Sequence, residues 1–177
     1  GNPGGGNTPL FGQLLGANHI VGNSPGWCVG KKVGTLKSDK SVEVVDLPGI
    51  YSLSPYSLEE VVARNSLAQE HPDVILNIVD GTNLERNLYL TTQLAELGIP
   101  MLVAVNMADI LTKQGETINA AALESALGVT VVQISALKGE GLTDLIAALP
   151  QVAAGASPRP LCFTPDIEPQ IAEVTAK

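Results

Sequence analysis

Three polar strings each stand at the end of a short β-branched run: Asp46-Leu47-Pro48-Gly49 closes 41–46, Asn106-Met107-Ala108-Asp109 closes 100–106, and Ser135-Ala136-Leu137-Lys138 follows 129–134. Together with the run at 73–80, these segments read as strands. The last three are apolar almost without interruption, as strands of a parallel sheet covered on both faces are. Helical periods lie between them. Residues 57–70 open with Ser57 and carry Glu60 three positions on, the spacing of a capping box, and close before Pro72. Residues 84–97 repeat leucine at Leu84, Leu88, Leu90, Leu94 and Leu97 and stop at Gly98; 119–127 and 141–149 supply two more helices, ended by Gly128 and Pro150. Residues 32–38 are predicted to pair antiparallel with 41–46 through Ser38-Asp39-Lys40. The alternation predicts a doubly wound, mostly parallel α/β sheet with helices on both faces, whose ligands lie beyond the carboxyl ends of the strands. All three strings fall on that rim.

Bulk properties narrow the function classes. At 177 residues and 45% hydrophobic content, one aliphatic core is expected. A net charge of -8 leaves no basic stripe to displace counterions from a nucleic-acid backbone. Cys28 and Cys162 have no metal-ligand spacing and predict two reduced thiols. Asn77, Asp80, Asn106 and Asp109 interrupt the apolar runs, so no bilayer span of roughly 18 to 20 residues is predicted.

The strings themselves point to a purine nucleotide. The Asp109 carboxylate can accept hydrogen bonds from guanine N1 and the exocyclic N2, a bidentate match that adenine cannot supply. Met107 can cover one purine face. The Ser135 and Ala136 backbone N–H groups are expected at guanine O6, with Leu137 beside them. At the amino end, Gly1-Asn2-Pro3-Gly4-Gly5-Gly6-Asn7-Thr8 has the Gly-x4-Gly frame of a phosphate-binding loop opening a helix. Asn7 stands where that loop carries Lys, so the cation facing the β and γ phosphates is absent and phosphate affinity should fall. Thr8 offers a hydroxyl to Mg²⁺, Asp46 would hold the same ion through a water, and the Gly49 N–H would meet the γ phosphate. Pro9 is tolerated in a first helical turn. Ile50, rather than Gln, follows Gly49 and cannot orient an attacking water, which predicts slow hydrolysis.

Longer strings carry a family likeness. Val44-Val45-Asp46-Leu47-Pro48-Gly49-Ile50-Tyr51-Ser52-Leu53, Asn83-Leu84-Glu85-Arg86-Asn87-Leu88-Tyr89-Leu90 and the stretch from Gly98-Ile99-Pro100 to Asp109 resemble the cytosolic G domain of the FeoB ferrous iron transport proteins, P-loop GTPases of the TrmE-Era and septin type. The resemblance covers roughly residues 1–150. It implies a module on the cytoplasmic side of the bacterial inner membrane that binds GTP and GDP with Mg²⁺ and regulates Fe²⁺ uptake through a membrane domain of the same protein. It also implies a K⁺ ligand at the position of Gly4 and a switch Thr at the position of Cys28, and both oxygens are missing here. Trp27 is expected to be a partly exposed loop aromatic. Residues 151–160 are expected to be a linker and 161–177 the start of a helical domain, with Ile167, Ile171 and Val174 at helical spacing. Because the chain opens on Gly1 without Met, the first strand of the sheet is expected to lie outside it. Two other functions compete: a regulatory module impaired in nucleotide binding, suggested by Asn7, Gly4 and Cys28, and a GTPase of ribosome or tRNA maturation, against which the acidic charge weighs.

Overall fold

The computed structural model describes residues 1–15 and 32–154, and within them the elements alternate as the apolar patterning requires. In chain order they are α1 (Asn7–Leu15), β1 (Lys32–Thr35), β2 (Glu43–Asp46), α2 (Leu58–Glu70), β3 (Ile75–Asp80), a single 3-10 turn (Gly81–Asn83), α3 (Leu84–Glu96), β4 (Met101–Asn106), α4 (Ala108–Gln114), α5 (Ala120–Leu127), β5 (Thr130–Gln133) and α6 (Leu142–Ala154). The expectations for Trp27, Cys28, Cys162 and 161–177 lie outside the described residues, as do residues 155–160 of the expected linker.

β4 is buried at every position and lies in the middle of a parallel sheet ordered β3-β4-β5. Register pairs Val79 with Val105 and Asp80 with Asn106, and Val103 with Val131, so the strands end together at one rim. Because successive side chains of a strand point to opposite faces, β4 serves two cores. Met101, Val103 and Val105 face a layer containing Leu88, Leu94, Leu123 and Leu127, whereas Leu102 and Ala104 face Leu10, Leu14 and Leu145. Helices α3 and α5 therefore cover one face, and α1 and α6 the other.

β1 and β2 form a separate antiparallel hairpin, Val33 opposite Val45, in which Leu36 donates to the Val42 carbonyl. No strand pairs β2 with β3 among the described residues. Between them runs an apolar slot of about 230 Å³ bordered by Leu10, Leu14, Val44, Leu76 and Ile78. The backbone of Gly1 sits at its rim, with its carbonyl accepting from the Ile50 N–H at 3.0 Å. The described strands thus form two sheets flanking one slot.

Local chemistry sets the helix ends. Ser57 Oγ accepts from the Glu60 N–H at 3.1 Å while the Glu60 carboxylate accepts from the Ser57 N–H, completing the expected capping box. Asn119 caps α5, and Gly128 ends it in the left-handed region at φ 68°. α6 departs from expectation by running through Pro150 to Ala154. Leu149 and Val152 continue its packed face across the exposed proline, and that packing offsets the hydrogen bond lost at the ring. The short helix α4 was not foreseen from the apolar pattern.

One buried polar pair crosses the core: Asn77 Nδ2 donates to Thr91 Oγ1 at 2.7 Å, joining β3 to α3. A near-isosteric Thr91→Val leaves that amide unpaired in a dry layer. It is expected to destabilise the fold by about 1–3 kcal/mol, measured as a lower urea midpoint at unchanged slope; an unmoved midpoint would refute the role.

Candidate functional site

A cleft of about 600 Å³ opens at the carboxyl rim of β3-β4-β5, and its walls come from four loops distant in sequence. Asn2, Gly6 and Asn7 contribute from the glycine-rich loop; Asp46 and Gly49 come from behind β2; Asn106, Met107 and Asp109 from behind β4; and Ser135, Ala136 and Leu137 from behind β5. These are the residues singled out in the sequence, with two exceptions. Gly1 borders the apolar slot rather than the cleft, because Ile50 engages its carbonyl behind the loop. The Thr8 side chain falls outside what the structure describes.

Asn106 ties the loops together. Its Nδ2 donates to the Gly5 carbonyl at 2.8 Å, and its Oδ1 accepts from the Ala136 N–H at 2.9 Å. The amide is buried and uses both ends, so it fixes the spacing between the glycine-rich loop and the Ser135 loop. Close approach is possible only because residue 6 is glycine: a Cβ there would lie 2.0 Å from Asn106 Nδ2, and φ is +103°.

The chain then turns through Met107 in the left-handed region, φ 69° and ψ 24°, a conformation that costs a methionine about 1–3 kcal/mol. Ala108 donates to the Ile134 carbonyl at 3.1 Å, pinning this turn to the end of β5. The turn starts α4 and places Asp109 in its first turn, where the helix terminus favours a negative charge. Ser135 Oγ donates to Asp109 Oδ1 at 3.0 Å, and Lys138 Nζ lies 3.7 Å from Oδ2. Burial pushes the Asp109 carboxyl up, but the Ser135 hydroxyl, the Lys138 ammonium and the N–H groups of Asp109 and Ile110 outweigh it and hold the carboxyl below its ordinary value. The sequence suggested only backbone donors from Ser135; its hydroxyl and Lys138 were missed, although both belong to the same string. Leu137 is 81% exposed at the mouth.

At the glycine-rich loop, Gly5 donates to the Asn2 carbonyl at 3.1 Å, and α1 begins at Asn7. Among the described residues, the buried side-chain polar atoms without a hydrogen-bond partner are Asn2 Oδ1, Asn2 Nδ2 and Asn7 Oδ1, all in this loop. Such atoms are rare in folded proteins and call for a ligand or water. Gly49 abuts the loop, where a Cβ would come within 2.8 Å of Pro3 Cα, and Ile50 is fixed to Gly1. The described residues hold no cluster of three or more His, Cys, Asp or Glu that could hold a metal. Asp46, a carboxylate lining the same cleft as the glycine-rich loop, suits Mg²⁺, which commonly takes one or two carboxylates together with substrate phosphates. Asn87 serves the rim rather than the cleft: its Oδ1 accepts from the Asp80 N–H and its Nδ2 donates to the Asn83 carbonyl.

A sequence profile described as ferrous iron transport protein B matches residues 1–149. The Fe(2+) transport protein A/Fe(2+) transporter FeoB fusion protein of Porphyromonas gingivalis is 42% identical over all of this chain and 22% of its own length. The Fe(2+) transporter FeoB of Salmonella typhimurium is 47% identical over 84% of this chain and 20% of its own. The chain thus spans about a fifth of these curated relatives. Among solved structures, a GDP-bound mutant of the S. thermophilus FeoB G-domain superposes with a TM-score of 0.80 at 52% identity, covering 89% of this chain and 59% of that one. The S. thermophilus NFeoB bound to GDP·AlF4⁻ and K⁺ gives 0.82 at 47% identity, covering 96% and 66%. The cytosolic domain of L. pneumophila FeoB gives 0.84 at 43% identity, covering 93% and 65%.

Two outcomes follow from the geometry. Asn106→Ala orphans the Gly5 carbonyl and the Ala136 N–H and is expected to cost about 1–3 kcal/mol for each group left unpaired; a thermal melt matching the parent chain would overturn the bridging role. Asp109 titrates below its unfolded value, so its contribution is present above about pH 4 and is lost as pH falls through the depressed folded value. Ser135→Ala is expected to move the Asp109 carboxyl upward, as followed by its carboxyl carbon resonance during acid titration.

Proposed function

The chain belongs to the ferrous iron transport protein B family and has the α/β fold of the FeoB G domain, and from this premise we propose that it binds GTP and GDP and hydrolyses GTP slowly. In the larger protein this activity would regulate Fe²⁺ uptake from the cytoplasmic side of the bacterial inner membrane. The observation that carries the proposal is Asp109, held at the cleft by Ser135 with its carboxyl kept ionised. An anionic carboxylate there accepts from guanine N1 and N2 together, and adenine offers it neither donor. Ala136 and Ser135 line the approach to O6, and Met107 lies along the purine face. The GDP-bound neighbours support the choice of base.

The phosphates would lie over Gly4, Gly5, Gly6 and the start of α1, where the first-turn N–H groups and the helix dipole favour anions. Asn7 supplies an amide in place of an ammonium, so binding there rests on dipoles and on Asn2 and Asn7 donors. Thr8 and Asp46 would hold Mg²⁺, which supplies positive charge against the β and γ phosphates. The Gly49 N–H would meet the terminal phosphate. Because Ile50 cannot orient water, turnover would be slow, and the lack of a side-chain oxygen at Gly4 weakens the case for K⁺ activation. No helix among the described residues is long and apolar enough to cross a membrane, so an iron path would lie elsewhere in the full-length protein.

Calorimetric titration with Mg²⁺ tests the proposal. GDP is expected to bind at least about a hundredfold tighter than ADP, since adenine brings the Asp109 carboxylate neither an N1–H nor a 2-amino donor. Equal affinity for the two would sink the reading. Asn7→Lys is expected to tighten GDP by about tenfold or more, the scale of one charge-assisted hydrogen bond of about 1.5–3 kcal/mol. Unchanged affinity would show that Asn7 does not limit phosphate binding.

A further inference from the structure

We infer that Lys138 sets how sharply this site discriminates guanine from purines that lack the 2-amino group. This rests on the proposed reading of Asp109 as the base-recognising carboxylate. Asp109 has two oxygens in different surroundings. Oδ1 is engaged by the Ser135 hydroxyl at 3.0 Å, and Oδ2 faces the Lys138 ammonium at 3.7 Å. The backbone that carries Lys138 is held beside Asp109, because the loop bearing it is closed at its base. Ser135 and Glu140 exchange reciprocal backbone hydrogen bonds at 3.0 and 3.1 Å, with left-handed glycines at Gly139 and Gly141. The lysine side chain is 43% exposed and that of Asp109 only 11%. The carboxylate is thus largely withdrawn from water, whereas its counter-ion is not.

Discrimination by a carboxylate of this kind comes from leaving an oxygen unpaired when the wrong base is present. Guanine satisfies both oxygens through N1–H and the 2-amino group. Hypoxanthine retains N1–H and lacks the amino group, so one oxygen loses its donor. An ammonium already poised beside Oδ2 fills part of that deficit. Lys138 therefore cushions the binding of hypoxanthine nucleotides and does less for guanine ones, which bring their own donor. It acts on specificity through Asp109 and is a positioning residue rather than a contact to the base.

The test measures dissociation constants of the 177-residue chain for GDP and IDP, comparing the parent with Lys138→Met and Lys138→Arg. Lys138→Met is expected to widen the GDP-over-IDP preference by roughly two- to fivefold, the scale of a partly exposed ion pair, mainly by weakening IDP. Lys138→Arg is expected to restore the parent ratio. Raising KCl to about 1 M should widen the parent ratio toward that of Lys138→Met, because the ion pair is screened, and leave the variant unmoved. If GDP binds and the ratio is the same in all three proteins, the role of Lys138 is overturned while guanine recognition stands. If GDP binds no tighter than ADP, the reading of Asp109 and this inference fall together.

Discussion

The buried amide of Asn106 holds the site together. It is the last residue of β4, the strand at the centre of the parallel sheet, and it reaches across 101 positions of sequence to the Gly5 carbonyl while receiving the Ala136 N–H. Without both bonds, the glycine-rich loop and the Ser135 loop would each carry an unpaired buried backbone group. The loops that would face the phosphates and the base are therefore set at a fixed separation by one side chain of one rigid strand. Placing such a group on a central strand rather than on a loop limits its motion to that of the sheet.

The same strand end stores strain. Met107 takes a left-handed backbone that a methionine avoids, and the turn is held because Ala108 bonds to Ile134 and Asn106 bonds on both sides. This inversion starts α4 at once, so Asp109 enters the cleft from the first turn of a helix and gains N–H donors from Asp109 and Ile110. Strained backbone at this point has a direct result: the carboxylate is aimed into the cleft and kept charged by local structure alone.

How much of this was readable in the sequence depends on the range of the interaction. The Ser57–Glu60 box, the Asn119 cap and the Gly128 stop act over three or four residues, and their residue types alone define them. The parallel strands were readable because a strand covered on both faces must be apolar throughout. The end of α6 was not, since the penalty at Pro150 is local whereas Leu149 and Val152 act through a core assembled from distant elements. α4 spans only 7 residues and starts at a left-handed methionine, so neither a period nor a polar cap announced it. In the site, the strings located the residues on one rim, but the partners of Asn106 lie 101 and 30 positions away, and pairwise contacts of that kind leave no trace in spacing. Gly1 belongs to the motif frame, yet Ile50 claims its carbonyl.

The two halves of the cleft differ in electrostatic completeness. At the Asp109 end, Asn106 pairs with the Gly5 carbonyl and the Ala136 N–H, and Asp109 with a hydroxyl and an ammonium. At the glycine-rich loop, Asn2 and Asn7 retain buried atoms without a partner, and the chain carries a net charge of -8, which would oppose an incoming polyanion. Phosphate loops ordinarily offset that opposition with a lysine point charge; an amide at residue 7 would leave backbone donors, the side-chain amides of Asn2 and Asn7, the terminus of α1 and any bound cation. Binding energy in this site would therefore be weighted toward the purine, and a ligand would be selected first by its base and only weakly by its number of phosphates. The segment from Gly49 to Ile50, pressed against Pro3 and Gly1, lies at the weaker end, so the segment that would meet a terminal phosphate under the proposed reading is the one where such a phosphate would be held least.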